Sequence, residues 1–450
     1  MNVKINNLLL VYIAVLFLAI FVSGAIQNIT IIFSLVVLNI LVYRRLNLNK
    51  PIICLLGILL TSIFVIIVYI QYYNAINLGF SDGNLLGKIG ENYYADTKNY
   101  YDESQQLVQI LFSQNFKYWL AGDFPHFGFY GPYNAYNILN AVLISIFGPN
   151  LLTLILLKLK VSILSYYVLY KIVINYLNDK WAIFSIMLYE LYPANLLVIS
   201  TLSRDNINSF LVILVCYYCI YFVGNNFENK VKYTIKILIT LIFLFLFRSY
   251  AAPITIISLS CAYFFSKKQP VKNYLLVTIL MIVVVIGCYV YGFENVQNKF
   301  TLNDGTQPWI AERSKGWNLA IYSVLYSFLG QTTVLKNYDL SAFSEFLNLS
   351  SFYYQNFILM FSFVAIMILM VIGKKQKDTW IWLLCCIMPI LFIFLITSVY
   401  GLPIPRLYNM WIWLNCLLIG VVINRFREKL LFLGLVSFGL IVILTVFLVK

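Results

Sequence analysis

Apolar runs of membrane-spanning length recur along this chain and constrain it more than any other feature. A bilayer span needs roughly 20 apolar residues, with about 17 to 25 tolerated. Such runs fall near 8–24, 29–43, 52–70, 153–176, 181–199, 206–223, 233–247, 250–266, 273–292, 354–372, 379–399, 405–423 and 430–449, about thirteen in all. Composition agrees: 62% of the 450 residues are hydrophobic and 11% are charged. Ordinary soluble domains carry about 45–50% apolar and about 25% charged residues. A soluble monomer has no interior large enough for that much apolar surface. A soluble globular enzyme, a secreted disulfide scaffold and a disordered chain are therefore excluded. The expected fold is an all-α polytopic membrane protein of about 13 transmembrane helices, with two long outer loops carrying interfacial helices.

The first run is preceded by Lys4 and followed by Ser23-Gly24-Ala25, as in a signal peptide. Its length, with no soluble domain behind it, favours a retained span. The net charge of +14 reads first as topology, because Lys and Arg accumulate in cytoplasmic loops. Clusters stand at Arg44, Arg45 and Lys50, at Lys230, Lys232 and Lys236, and at Lys267, Lys268 and Lys272. Two more stand at Lys374, Lys375 and Lys377 and at Arg425, Arg427 and Lys429. A cytoplasmic amino terminus puts all five on the cytoplasmic face. The chain then reads as one membrane domain over 1–450, with a first outer loop over 71–152 and a second over 293–353. Residues 134–147 are apolar on one side and too short to cross, which predicts a helix lying along the outer interface.

In a chain so poor in charge, each charge at an apolar boundary is informative. The first outer loop holds Asp82, Glu91, Asp96, Asp102, Glu103 and Asp123, six of the seventeen acids. A helix over 96–112 places Asp96, Tyr100, Glu103 and Leu107 on one face. A solvated amphipathic helix explains the same spacing. On the outer side, Lys158, Lys160, Arg204, Arg248, Arg313 and Arg406 defy the positive-inside bias, with Asp205 beside Arg204. A bound phosphate or pyrophosphate accounts for the set, since Arg offers a bidentate fork and Lys a point charge. Snorkelling to lipid headgroups accounts for any single member.

Glu190 sits within an apolar run before Pro193, either as a functional group or as a neutral carboxyl shaping the helix. His126, the only histidine, lies in the Gly- and Pro-rich stretch 124–132, where a structural turn competes with substrate contact. All eight cysteines lie in apolar runs, and Cys216-x-x-Cys219 has no polar surroundings, so core packing is the expectation. No cofactor is expected; a divalent metal beside Asp96 is left open.

The acidic loop after an early span leads into Tyr133-x-x-Tyr136-Asn137-x-Leu139, which ends at Phe147-Gly148-Pro149-Asn150. Lys158 and Lys160 then open a long run, and Tyr192-Pro193 precedes Ser203-Arg204-Asp205. Over about residues 90–225 this order resembles the GT-C membrane glycosyltransferases, in the protein O-mannosyltransferase and aminoarabinose transferase branch. The resemblance implies sugar transfer from a polyprenyl-phosphate donor to a glycan, lipid or protein acceptor on the outer face, with no nucleic-acid partner. It also implies an acid of the first outer loop as general base. Asp96 followed by Tyr100 matches that pattern best, with Asp102 or Glu103 as the alternative because they form the adjacent acid pair. Tyr100, His126, Lys158, Lys160, Arg204, Asp205, Arg248, Arg313 and Arg406 would contact substrate. A repeat-unit polymerase is the nearest rival, and a lipid-linked oligosaccharide flippase or other transporter is a third.

Overall fold

A computed structural model describes residues 5–77, 96–113, 135–224, 227–248, 250–266, 343–372 and 405–424, with short pieces between 384 and 392. Every regular element among them is helical. The chain divides into two compact units. The first comprises Met1–Leu169, Asn195–Phe210 and Asp339–Leu347; the second comprises Tyr170–Ala194, Leu211–Tyr338 and Asn348–Lys450.

In the first unit, α1 (Ile5–Phe21) pairs with α2 (Gly24–Arg45), and α2 packs on α3 (Pro51–Asn77). Gly24 makes the turn between α1 and α2 with φ +62°, a left-handed conformation that favours glycine. α4 (Asp96–Ser113) packs along α5 (Ala135–Phe147). α6 (Leu151–Val173) follows α5 after Gly148, and its residues are mostly buried. Polar side chains join these apolar helices. Asn39 Nδ2 donates to Thr61 Oγ1 at 2.9 Å, and the Tyr166 hydroxyl donates to the Ile53 carbonyl at 3.0 Å. Gln27 Nε2 lies within hydrogen-bonding distance of the carbonyls of Ala19 (3.0 Å) and Phe147 (2.9 Å), linking α1, α2 and α5. Thr153 of α6 donates to Asn28 Oδ1 at 2.8 Å. In apolar surroundings an amide without a partner is costly, so such bonds fix register.

α7 (Asp179–Glu190) belongs to the second unit and is capped by Asn178 Oδ1 on the Trp181 N–H at 3.2 Å. Along the chain follow α8 (Pro193–Ser200), which belongs to the first unit from Asn195, and α9 (Asp205–Gly224), which belongs to the first unit up to Phe210; then come α10 (Phe227–Phe247), α11 (Ala251–Ser266), α12 (Phe343–Ile372), in the second unit from Asn348, and α13 (Ile412–Asn424). Tyr192 is fully buried beside Tyr354, whose hydroxyl donates to the Leu188 carbonyl at 2.8 Å. α13 approaches α7 closely at Gly420, where a Cβ would collide with Ser185.

Many large apolar side chains face outward, including Leu10 and Phe17 on α1, Ile26 and Ile29 on α2, and Leu55 and Ile66 on α3. Exposed apolar faces of this extent mark contact with lipid. Among the described residues, four helices are long and apolar enough to cross a bilayer: Gly24–Arg45, Pro51–Asn74, Leu151–Val173 and Asp205–Phe222. The protein is membrane-associated.

The expectation of about 13 transmembrane helices is corrected. Among the described residues there are four candidate spans, or five if α7 and α8 form one bent span. Apolar run length overstated the count for physical reasons. The run at 181–199 is two short helices bent by 58°, because Pro193 cannot continue α7. α1 has 17 residues, about 26 Å of helix, against a hydrocarbon core of about 30 Å. α11 has 16 residues, and α10 carries Lys230, Lys232 and Lys236 in its first half. The runs near 273–292 and 430–449 lie outside the described residues.

The two-loop picture changes as well. Within 71–152, α3 continues to Asn77, and the helix expected along the interface is α5, packed against α4 with Tyr136, Asn137, Asn140, Ala141 and Ile144 buried. Of 293–353, only the start of α12 from Phe343 is described.

Candidate functional site

The polar residues of the first unit concentrate where α4, α5, the start of α6 and the turn before α9 meet. α4 buries Tyr100, Ser104 and Leu107 and leaves Glu103 half-buried. This is the helical spacing that the sequence presents, with the face turned to α5. Tyr100 and Tyr136 meet edge to face, with centroids 4.8 Å apart. One turn along α4, Asn137 Nδ2 donates to Glu103 Oε2.

The Arg204 guanidinium lies 5.9 Å from the centroid of the Tyr100 ring, within cation–π range. The Tyr136 phenol, beside the Asn140 amide, feels both Asp205 and Arg204; burial raises its pKa, so it is a neutral hydroxyl. Asp205 is buried at the first residue of α9, where the helix dipole favours a carboxylate. Asn206 Nδ2 donates to Ser162 Oγ at 3.0 Å, tying α9 to α6.

Glu103 is the group of this cluster closest to a proton-transfer role. Burial raises its pKa to about 7, reinforced by the neighbouring Asp102 charge and opposed by the Asn137 hydrogen bond. A carboxyl poised there exchanges protons in both directions at neutral pH. Arg204 is half-buried like Glu103, and its guanidinium lies over the Tyr100 ring. The cluster therefore combines a proton-exchanging carboxyl, a fixed cation and two tyrosine rings.

Of the residues singled out in the sequence, Tyr100, Glu103, Lys158, Arg204 and Asp205 come together here, and Asp102 borders Glu103. Lys158 is placed differently from the phosphate contact expected of it. Its ammonium reaches the Val198 carbonyl at 2.7 Å, the Thr201 carbonyl, and the Ser203 carbonyl at 3.4 Å. With Asp205 as a further attraction, its donors serve the carbonyl end of α8. Lys160 turns to α1, 5.7 Å from the Tyr12 ring centroid. Arg248 belongs to the second unit and lies over Tyr250 at 5.0 Å. Asp96 opens α4 and Arg406 lies in the helical turn Pro405–Tyr408, but their side chains lie outside the described residues. His126 and Arg313 lie outside them altogether.

Sequence reasoning named Tyr136 and Asn137 only within a family motif, gave neither a site role, and passed over Asn140. The available signal was two amides three residues apart within a short apolar helix, a spacing that puts both on one face. Among the described residues no group of three or more His, Cys, Asp or Glu side chains is arranged to hold a metal.

No family model, curated protein or solved structure matches the chain. The resemblance to the GT-C glycosyltransferases is corrected: those enzymes carry about 10–13 spans, whereas the described residues hold four, at most five. Sugar transfer falls with it, as do the cell-envelope polysaccharide role and the polymerase and flippase alternatives, which need the same many-span frame.

Proposed function

We propose that the protein is a membrane enzyme that uses Glu103 for acid–base chemistry on a lipid-borne phosphate substrate held at Arg204. One observation carries the reading: a half-buried carboxyl with its pKa raised to about 7 stands one helical turn from Tyr100, whose ring meets a half-buried arginine. A base with a pKa near the working pH is the effective one for removing a proton from a hydroxyl. A guanidinium against apolar surface suits a phosphate whose tail stays in the bilayer. Tyr100 and Asn137 act on Arg204 and Glu103 as positioning residues.

The site is proposed to face the outer side. Gln27, in the first turn of α2, binds the carbonyl that ends α5, while Arg44 and Arg45 end the same helix. Twenty-two residues of α2 measure about 33 Å, the thickness of the bilayer core. The positive-inside bias assigns the arginine end to the cytoplasm, which leaves the Phe147 end of α5 outside, and the polar cluster is proposed to lie on the same side, on the first turns of that helix.

The test pairs binding with turnover. Purified protein is titrated with a polyprenyl phosphate and with the uncharged polyprenol, and lipid phosphates are profiled in cells making each variant. Arg204→Gln is expected to weaken polyprenyl-phosphate binding about tenfold, the loss of one charge-assisted contact. Glu103→Gln is expected to bind normally while a lipid-phosphate species accumulates in cells. Equal affinity for phosphate and alcohol, or an unchanged lipid profile with Glu103→Gln, contradicts the reading.

A further inference from the structure

Lys158 and Lys160 stand two residues apart on α6, and their charges are met very differently. Lys158 is buried, with the backbone carbonyls of Val198, Thr201 and Ser203 around its ammonium. Among the described residues, the Lys160 ammonium has only the Tyr12 ring of α1, 5.7 Å from its centroid. Lys160 is the tenth of the 23 residues of α6, about 14 Å of helix from the Leu151 end and about 20 Å from the Val173 end. Tyr12 is the eighth of the 17 residues of α1, so the ammonium also lies against the middle of that helix. A lysine's four-carbon stem falls short of either end of the span. An ammonium at that depth is costly without a counter-charge and marks a functional contact.

The apolar runs of this chain hold no carboxylate for it. α1, α2, α3, α5 and α6 contain no Asp or Glu. Of the thirteen apolar runs, 181–199 alone contains an acid, and that residue, Glu190, is buried in the second unit. Asp205, at the head of α9, already acts on Lys158 and Tyr136. A second copy of the chain would bring another Lys160 and no exposed acid at that depth. Between Leu151 and Leu169 the partly exposed residues of α6 are Lys160, Val161, Leu164 and Val168. Steps of one, three and four residues put them on one helical face about 100° wide. The Tyr12 ring engages one side of the ammonium, which leaves it N–H donors for a carboxylate. A narrow apolar stripe with a cation at mid-bilayer is the complement of a helix with an acid at the same depth. A lipid headgroup would have to leave the interface to reach it.

We propose that the Lys160 face of α6 docks a transmembrane helix of another protein, one that carries an Asp or Glu at mid-bilayer. The carboxylate pairs with the Lys160 ammonium, and Tyr12 holds that ammonium in place. Val161, Leu164 and Val168 pack against the apolar part of the partner helix. This surface is independent of the Glu103 chemistry, and its failure would leave that reading intact.

The experiment uses the full-length protein in phosphatidylcholine liposomes with a synthetic single-span polyleucine helix bearing Asp at its centre. Association is titrated by fluorescence energy transfer between the two. Wild type is expected to bind this helix about tenfold more tightly than the same helix with Leu at the centre. Lys160→Arg is expected to keep the preference and Lys160→Met to abolish it. Lys160→Glu is expected to reverse it, favouring a helix with Lys at the centre. With no helix added, Lys160→Met is expected to melt no lower than wild type, because it removes a charge that its own chain leaves unbalanced. Equal binding of the Asp and Leu helices by wild type overturns the proposal, and so does a preference that survives Lys160→Met. A lower melting temperature for Lys160→Met overturns it too, since the ammonium then has a partner within its own chain. Competition by oleate, a carboxylate on an acyl tail, would assign the ammonium to a lipid anion and defeat the helix assignment.

Discussion

Half-burial strips the Glu103 carboxylate of part of its hydration, and the Asn137 amide restores only some of it. The net effect is a pKa raised to about 7 from the ordinary 4.5. The linkage sign follows. The protonated form is favoured in the folded protein, so the contribution to stability is full below the unfolded value. It is lost as pH rises through about 7. Thermal melts in detergent are therefore expected to fall between acid and neutral pH, with Glu103→Gln flattening that stretch and melting higher at alkaline pH. A wild-type curve already flat across the same range would remove the electrostatic account. Lys158 differs, because its amine is held by backbone carbonyls. Lys158→Met strands the carbonyls of Val198, Thr201 and Ser203 beside Asp205 and is expected to destabilise by about 3 kcal/mol. Chemical denaturation measures it, and a loss below about 1 kcal/mol would mean the ammonium contributes little. The face of Tyr100, Glu103 and Leu107 was legible in the sequence because helical spacing is local. The partners of Lys158 were not, because backbone carbonyls some forty residues away leave no mark on residue type.

Elements follow the same division between local and distant causes. Apolar content located α2, α3, α6 and α9 because each is one uninterrupted helix of membrane length. It misjudged 181–199 because a break at Pro193 bends that single run by 58° without changing hydropathy. It gave no sign that the buried amides of α5 pack against α4. The close contact of α3 with α2 and α6 is a matter of a single missing side chain. A Cβ at Gly57 would lie 2.7 Å from Asn39 Oδ1 and 2.8 Å from the Tyr167 hydroxyl. Gly57→Ala is accordingly expected to cost about 1–3 kcal/mol through overpacking. Thermal stability in detergent measures this, and an unchanged melt would show that the helices part there without penalty.

At the scale of the whole molecule, topology ties the Glu103 cluster to its proposed side of the membrane. Asn49 follows the arginine end of α2 and Gln106 lies on α4, and both are exposed. With an impermeant thiol reagent on intact cells, Gln106→Cys is expected to label and Asn49→Cys to label only after permeabilisation. The reverse pattern would place the cluster on the cytoplasmic side. The six described cysteines lie buried or half-buried in apolar helices, which keeps background labelling low.

The most direct measurement is a pH titration of the purified protein by difference infrared spectroscopy, comparing wild type with Glu103→Gln. The account predicts one carboxyl band titrating near 7 in wild type and absent from the variant. If the carboxyl band that Glu103→Gln removes titrates in the ordinary acid range, Glu103 is an ordinary solvated side chain and the proposed proton-transfer site is wrong.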